Sequence, residues 1–176
     1  LHVRDVLRTT HEENLRIIQE STTYLKAHGK EVVYDAEHFF DGYKADPDYA
    51  LATLRAAVEG DADVLVLCDT NGGSLPWEIE TATQHVQDTF PGVPLGIHAH
   101  NDGGLGTANT LAAVRAGVVH VQGTINGYGE RCGNADLCTI LPNLELKMGH
   151  AALPAGRLRE ITRTARAIAS IANQPP

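Results

Sequence analysis

An α/β fold with about four parallel strands is predicted by three features of the sequence. Glycines that end helices recur every 25 to 32 residues, at Gly29, Gly60, Gly92 and Gly117, and a strand is expected shortly after each. The continuous apolar run 64–68 is typical of a parallel strand that is covered on both faces. Polar clusters follow all four predicted strands, at the edge where parallel α/β proteins build their active sites.

The predicted helices and strands alternate along the chain. Strands are predicted at four apolar runs, which cover residues 31–34, 64–68, 95–97 and 118–121. Helices are predicted at six periodic segments, which are 11–28, 47–59, a segment that begins at Pro76, one after Gly106, one from Leu137 and a last one over 158–168. Thr10 and Glu13 form a capping box for the first helix, and Asp46 caps the second.

Composition and charge exclude several classes of protein. The 176 residues can bury one core, which predicts a single domain or part of one. A net charge of −8 disfavours nucleic acid as a partner, and the apolar runs are too short for a membrane protein. Three cysteines without a Cys-x-x-Cys pair predict reduced thiols, and we therefore expect a cytoplasmic protein.

Two histidines follow the third predicted strand. If residues 93–97 form a strand, the imidazoles of His98 and His100 leave the same face and their ring nitrogens converge. Imidazole is the commonest neutral metal ligand, so the pair predicts half of a divalent-metal site. A chance pair, or a hydrogen-bonded core histidine, is the alternative. Asn101 and Asp102 come next, and we expect them to fix the imidazole tautomers.

A glycine-rich loop follows the fourth predicted strand. Residues 126–134 contain three glycines, which indicate a tight loop whose backbone approaches another group closely. Asn134 ends this loop, and we expect its amide oxygen to serve as a hard metal ligand. We interpret Cys132 as a small filler residue, and Glu130 with Arg131 as an ion pair that braces the loop.

Three motifs together carry a resemblance to a known family. They are HAHND at 98–102, DTNGG at 69–73 and NGYGERCGNADL at 126–137. They resemble the acetyl-CoA-condensing synthases of a metallolyase TIM-barrel superfamily, which includes isopropylmalate, homocitrate and citramalate synthases. The segment 31–57 looks most like the bacterial citramalate synthase branch, and the similarity extends over essentially the whole chain.

The resemblance implies a fold and a set of site residues. The chain would form the second half, about four βα units, of a TIM (β/α)8 barrel. His98, His100 and Asn134 would hold a divalent metal ion (Mg, Mn or Zn), Glu37 would be the catalytic glutamate and Thr70 would bind substrate. Without the resemblance, Glu37 has an alternative reading as a salt-bridged carboxylate at a strand end, and Thr70 as an ordinary turn hydroxyl.

The resemblance also implies an activity. Acetyl-CoA, the co-substrate, would condense with a 2-oxo acid, pyruvate, to give citramalate for branched-chain amino-acid (isoleucine) biosynthesis. Isopropylmalate or homocitrate synthase remains an alternative within the family, and a non-catalytic αβ module remains an alternative outside it. The family's first-strand Asp-Arg-Glu segment and its C-terminal subdomains have no counterpart in this sequence, so we expect the chain alone to be inactive.

The organisation of the chain is predicted to be that of a segment of a longer protein. The sequence begins at Leu1 without an initiator Met. We expect residues 1–150 to form the C-terminal half of the barrel domain, and 151–176 to form a trailing helix and the start of a linker. Half a barrel leaves the edges of strands 31–34 and 118–121 unpaired, which predicts self-association into a homo-oligomer.

Overall fold

A four-stranded parallel sheet is the centre of the computed structural model, which describes residues 1–174. Its strands lie in the order β1-β2-β3-β4, and they are Val33–Ala36, Val64–Asp69, Leu95–Ala99 and His120–Gln122. Residues 175 and 176, which fall in the expected linker, lie outside the described residues. The predicted α/β class with four parallel strands is confirmed.

Seven α-helices, α1 to α7, connect and flank the strands of the described chain. They are His11–Ala27, Phe39–Ala45, Pro47–Glu59, Pro76–Thr89, Gly106–Arg115, Leu137–Leu146 and Ile161–Ile171. Side-chain caps begin two of them where the sequence predicts. Thr10 Oγ1 accepts a hydrogen bond from Glu13 N at 3.1 Å, and Asp46 Oδ1 accepts one from Tyr49 N at 3.0 Å.

Three local expectations differ from the structure. Strand β1 begins two residues later than predicted, because Val32 N donates to the Asp63 carboxylate at 2.7 Å instead of joining the sheet ladder. Strand β4 also begins later, because Val118 N closes the end of α5 by bonding to Ala113 O. Helix α2 was not predicted, since seven residues that include Gly42 are too short to show a helical period.

The core lies between the outer face of the sheet and the helices. Leu65, Leu67 and Ile97 point outward from β2 and β3 and are fully buried against α3 and α4 side chains such as Leu54 and Ile79. Because side chains alternate along a strand, the intervening residues face the other side of the sheet. That inner face carries the polar residues from which the candidate site is built.

The sheet is strongly curved. Gln122 Nε2 donates to Asp35 Oδ1 at 2.9 Å, although these residues lie on β4 and β1, the two outer strands. In a flat sheet, strands three positions apart would be separated by about 14 Å. The inner face is therefore concave, as in a barrel wall.

The outer strands have no further strand paired to them within residues 1–174. Beside β1, a cavity of about 950 Å³ opens between the strand and the N-terminal residues 1–7. His2, on a single turn of π-helix, stacks on His38 with ring centroids 3.8 Å apart. In the part of the chain that the structure describes, every helix falls short of the length and apolar character that crossing a bilayer requires.

Candidate metal centre

The three residues predicted to bind a metal lie together at the carboxyl edge of the sheet. His98 Nε2 is 3.2 Å from His100 Nε2 and 3.0 Å from Asn134 Nδ2. His100 and Asn134 are both buried, with 4% and 7% of their surface exposed. Two imidazoles from the end of β3 and one amide from the glycine-rich loop therefore surround a single small volume.

Backbone pairing holds the glycine-rich loop against the end of β3. Asn134 forms an isolated antiparallel bridge with His100, and Ala135 N donates to Ala99 O at 2.8 Å. Gly129 lies so close to Asn134 that a β-carbon at this position would overlap the Asn134 amide oxygen. The glycine is therefore required by this close approach, as the sequence analysis expected for the loop.

The other ring nitrogen of His98 contacts a residue that the sequence analysis missed. His98 Nδ1 is 2.7 Å from Gln122 Oε1, and Gln122 Nε2 donates to Asp35 Oδ1. Gln122 lies directly opposite His98 in the ladder between β3 and β4. A correct register for β4, which begins at His120 rather than Val118, would have identified it.

Arg131 joins three parts of the site. Its Nε donates to Asp102 Oδ1 at 2.8 Å, and its Nη2 donates to the Thr70 carbonyl at 2.6 Å and lies 3.2 Å from His100 Nδ1. The Arg131 guanidinium holds the pKa of Asp102 below its usual range. The prediction that Arg131 forms an ion pair with Glu130 is wrong, because the Arg131 guanidinium is turned towards Asp102. Glu130 Oε1 instead lies 3.7 Å from His100 Nε2.

Within residues 1–174, neither the Asn101 nor the Asp102 side chain forms a hydrogen bond with the imidazole of His98 or His100. Asn101 Oδ1 accepts from Gly106 N at 3.0 Å and so supports the first turn of α5. Asp102 is joined to His100 only through Arg131. The side chains next to the imidazole Nδ1 atoms are those of Gln122 and Arg131, which lie farther along the chain.

Glu37 and Thr70, predicted for substrate chemistry, form a second polar group beside the first. Thr70 Oγ1 donates to Glu37 Oε2 at 2.8 Å, and His38 N donates to Thr70 Oγ1 at 2.8 Å. Burial raises the pKa of the neighbouring Cys68 thiol, and the charges of Asp35 and Glu37 raise it further. The thiol therefore stays protonated and neutral near pH 7.

A buried carboxylate fixes the segment that carries Thr70. Asp69 is 1% exposed, and its Oδ1 accepts from Ser74 Oγ at 3.0 Å while its Oδ2 accepts from Asn109 Nδ2 at 3.2 Å. The Asp69 carbonyl also accepts from His100 N at 3.2 Å. One residue at the end of β2 thus ties the Thr70 turn to the histidine strand.

The residue types at His98, His100 and Asn134 are ones that bind divalent ions, and His98 presents its lone pair to the shared volume. Because Gln122 Oε1 accepts from His98 Nδ1, the lone pair of the neutral ring is on Nε2, which points at the other two side chains. A half-turn of the Asn134 amide would present its oxygen to the same volume. No three His, Cys, Asp or Glu side chains among residues 1–174 gather in a metal-binding group, so the set comprises two imidazoles and one amide.

Sequence comparisons relate the chain to one family and to named enzymes within it. Residues 1–167 match the family described as HMGL-like. The (R)-citramalate synthase of Aquifex aeolicus is 55% identical over 175 residues, which are 99% of this chain and 33% of that protein. The homocitrate synthase of Sulfolobus acidocaldarius is 33% identical, over 99% of this chain and 36% of that protein. The chain therefore spans about one third of the length of these relatives.

Solved structures relate the fold to α/β barrels. The HMG-CoA lyase of Bacillus subtilis aligns with a TM-score of 0.81 at 22% identity, over 99% of this chain and 60% of that chain. The carboxyl transferase domain of Rhizobium etli pyruvate carboxylase aligns with a TM-score of 0.68 at 22% identity, over 89% of this chain and 26% of that chain. With the curved parallel sheet, these alignments confirm the predicted fold class, part of a TIM barrel.

Proposed function

Since the chain belongs to the HMGL-like family, we propose that it supplies half of the active site of an enzyme that condenses acetyl-CoA with pyruvate to give citramalate. The observation that carries this proposal is the identity to (R)-citramalate synthases, which is 50–55% for five such enzymes. Identity falls to 42% for a probable 2-isopropylmalate synthase of Methanopyrus kandleri, over 82% of this chain, and to 33–34% for two homocitrate synthases, so pyruvate is favoured over a longer 2-oxo acid.

We place a divalent metal ion at His98, His100 and Asn134. These residues would hold the ion, and the chemistry it would supply there is Lewis-acid polarisation of the ketone of the 2-oxo acid. The support is the convergence of His98 Nε2 with His100 Nε2 and the Asn134 amide within 3.2 Å. The proposal includes Glu130 as a nearby negative charge, since its carboxylate lies 3.7 Å from His100 Nε2.

Thr70 binds the carboxylate of the 2-oxo acid through its hydroxyl group in this proposal. The hydroxyl hydrogen points at Glu37 Oε2 in the structure, and the His38 N–H holds the oxygen in place. When substrate enters, Thr70 Oγ1 can turn its hydrogen to the substrate while it still accepts from His38 N. Glu37 Oε2 is then free to accept or relay the proton that leaves the methyl group of acetyl-CoA.

The remaining parts of the proposal concern the whole enzyme. A fourth metal ligand and a substrate-binding arginine are assigned to protein outside residues 1–176, so the chain alone is proposed to be inactive. Formation of citramalate by the purified chain would contradict this. The activity is placed in the cytoplasm and in branched-chain amino-acid biosynthesis, as the resemblance to the citramalate synthase branch implies.

A chimera tests the proposed function directly. This chain would replace the matching 175-residue segment of the Aquifex aeolicus (R)-citramalate synthase, and citramalate would be measured from pyruvate and acetyl-CoA. We expect activity that is lost after chelation and restored by a divalent metal. In the same chimera, His98→Ala should abolish activity, whereas His85→Ala, on α4 outside the site, should retain it. A folded chimera that works equally well without metal would contradict the metal assignment.

A further inference from the structure

A continuous line of hydrogen bonds runs across the concave face from β1 to the candidate metal ligand on β3. Asp35 Oδ1 accepts from Gln122 Nε2 at 2.9 Å, and Gln122 Oε1 faces His98 Nδ1 at 2.7 Å. The three residues come from three different strands and are up to 87 positions apart in the sequence. This arrangement exists only because the sheet is curved.

The chemistry of these groups leaves one consistent set of proton positions. An ionised carboxylate only accepts hydrogen bonds, so the NH2 group of Gln122 must face Asp35. The amide oxygen then faces His98 Nδ1, which must carry the ring proton. The reverse orientation of the amide is excluded because it would place two oxygen atoms, which are both acceptors, against each other at Asp35.

The contact between the two histidines is consistent with this assignment. Two imidazole Nε2 atoms 3.2 Å apart need one donor and one acceptor. His100 Nδ1 faces Arg131 Nη2, which is always a donor, so a neutral His100 carries its proton on Nε2. His98 Nε2 is then the acceptor. The two imidazoles are therefore opposite tautomers, and only His98 has its ligating lone pair already in place.

We propose that Asp35 and Gln122 are positioning residues that hold His98 in the Nδ1–H tautomer, with the Nε2 lone pair directed at the metal site. This inference rests on the proposed function, because it assigns the role of the lone pair to metal binding. Hydrogen-bond partners of a ligating imidazole commonly fix its tautomer and ring orientation, and their loss typically weakens metal binding 10- to 100-fold. Asp35 acts only through Gln122, and Gln122 only through His98.

The test measures the tautomer itself in the metal-free full chain. Imidazole nitrogens with and without a proton differ in 15N chemical shift, so His98 can be assigned by NMR at a pH of about 8.5, where free histidine is neutral. Gln122→Leu removes the acceptor at nearly constant volume, and we expect His98 to populate the Nε2–H tautomer. The double variant Asp35→Asn/Gln122→Glu keeps an acceptor for His98 and gives the new carboxylate a donor at position 35, so it should retain the Nδ1–H tautomer.

A matched control lies on the surface of α4. Gln84 Nε2 donates to Asp88 Oδ1 at 3.1 Å, so Gln84→Leu breaks the same kind of pair away from the site and should leave His98 unchanged. Circular dichroism and thermal unfolding would show that each variant is folded. An unchanged His98 tautomer in a folded Gln122→Leu variant would overturn the proposal.

Zn²⁺ binding separates this inference from the proposed function. Because the proposed fourth ligand lies outside this chain, Zn²⁺ binding is measured in the chimera. We expect Gln122→Leu to weaken it at least tenfold relative to the parent chimera, and Asp35→Asn/Gln122→Glu to weaken it less. If the parent chimera binds no Zn²⁺ but the His98 tautomer of the chain responds to Gln122→Leu, the positioning of His98 stands and the metal assignment fails. If Zn²⁺ binds equally well to both proteins, the positioning role fails and the metal assignment stands.

Discussion

Thr70 and Glu37 are hydrogen-bonded to each other at the ends of two neighbouring parallel strands, with Oγ1 and Oε2 2.8 Å apart. Thr70 Oγ1 has a second fixed partner, because it accepts from His38 N at 2.8 Å. The hydroxyl thus donates one hydrogen bond and accepts another, and the two together fix its position. The pair therefore presents a carboxylate and a hydroxyl in a defined arrangement beside the histidines.

The first prediction concerns the hydroxyl of Thr70. Thr70→Val keeps the shape of the side chain but removes a hydrogen bond to a charged group, which contributes about 1.5–3 kcal/mol. In the chimera we expect kcat/KM for pyruvate to fall about 10- to 100-fold, chiefly through KM. Thr70→Ser retains the hydroxyl and should remain within a few-fold of the parent. Equal activity of the Val and Ser variants would contradict substrate binding by Thr70.

The second prediction concerns Gly129 in the glycine-rich loop. A β-carbon at this position would overlap the amide oxygen of Asn134, so Gly129→Ala must displace the Asn134 side chain. We expect Zn²⁺ binding to weaken at least tenfold in a titration of the chimera. Gly73→Ala is the matched control, because the β-carbon that it adds has no atom within 4 Å apart from those of residue 73 and its two chain neighbours. Similar affinities for the two variants would show that Asn134 is not a ligand.

The elements that could be predicted from the sequence are those with a strong local signal. Strand β2 is a continuous apolar run, and α1 and α3 carry capping residues at Thr10 and Asp46. Helix α2 could not be predicted, because its stability comes from burying Phe39 and Phe40 in the core rather than from a periodic pattern. The start of β1 depends on a contact between Val32 and Asp63, which are far apart in the sequence.

In the candidate site too, features with a local sequence signal could be predicted and features that depend on distant contacts could not. His98 and His100 could be paired from their spacing, since alternate residues of a strand share a face. Gln122 could not be assigned, because its contact with His98 depends on the register of β4 against β3. Arg131 was placed with its sequence neighbour Glu130, whereas the folded loop, with Arg131 at φ 57°, turns it towards Asp102. The contacts that could not be predicted are therefore those between different strands and loops, which depend on the folded arrangement of the chain.

The third prediction concerns the pH dependence of stability at Asp63. Hydrogen bonds from Lys26 and from Val32 N lower the pKa of Asp63 in the folded protein. A lowered folded pKa means that the stabilisation is complete above the unfolded pKa of about 3.9 and is lost as the pH falls through the folded value. Asp63→Asn should therefore lower the urea midpoint at pH 7 and have almost no effect at about pH 2.

Asp61 provides the control for this measurement. Its side chain is 86% exposed and lies 3.9 Å from the same Lys26 ammonium, so Asp61→Asn should change the urea midpoint much less at pH 7. The interpretation would be wrong if Asp63→Asn caused the same loss of stability at both pH values, because that loss would not depend on the charge.

The fourth prediction concerns the outer strands of the sheet. Strand β1 has no neighbour on its outer side within residues 1–174, and Val33 in that strand is 37% exposed. Unpaired backbone N–H and C=O groups beside an apolar side chain form a template for pairing with another chain. We expect the purified chain to associate with itself in sedimentation velocity experiments, more strongly as its concentration is raised. A chain that stays monomeric at high concentration would contradict this.

Two lysine variants distinguish strand pairing at the β1 edge from non-specific association through exposed apolar side chains. Val33→Lys places a charge on the β1 edge, where it would have to be buried or paired if a second strand added to it, so association should decrease. Ile17→Lys places the same charge on α1, where Ile17 is 45% exposed, and should leave association unchanged if the strand edge is responsible. If both variants reduce association equally, exposed apolar surface rather than unpaired backbone drives it, because α1, unlike the β1 edge, offers no backbone hydrogen-bonding groups to a second strand.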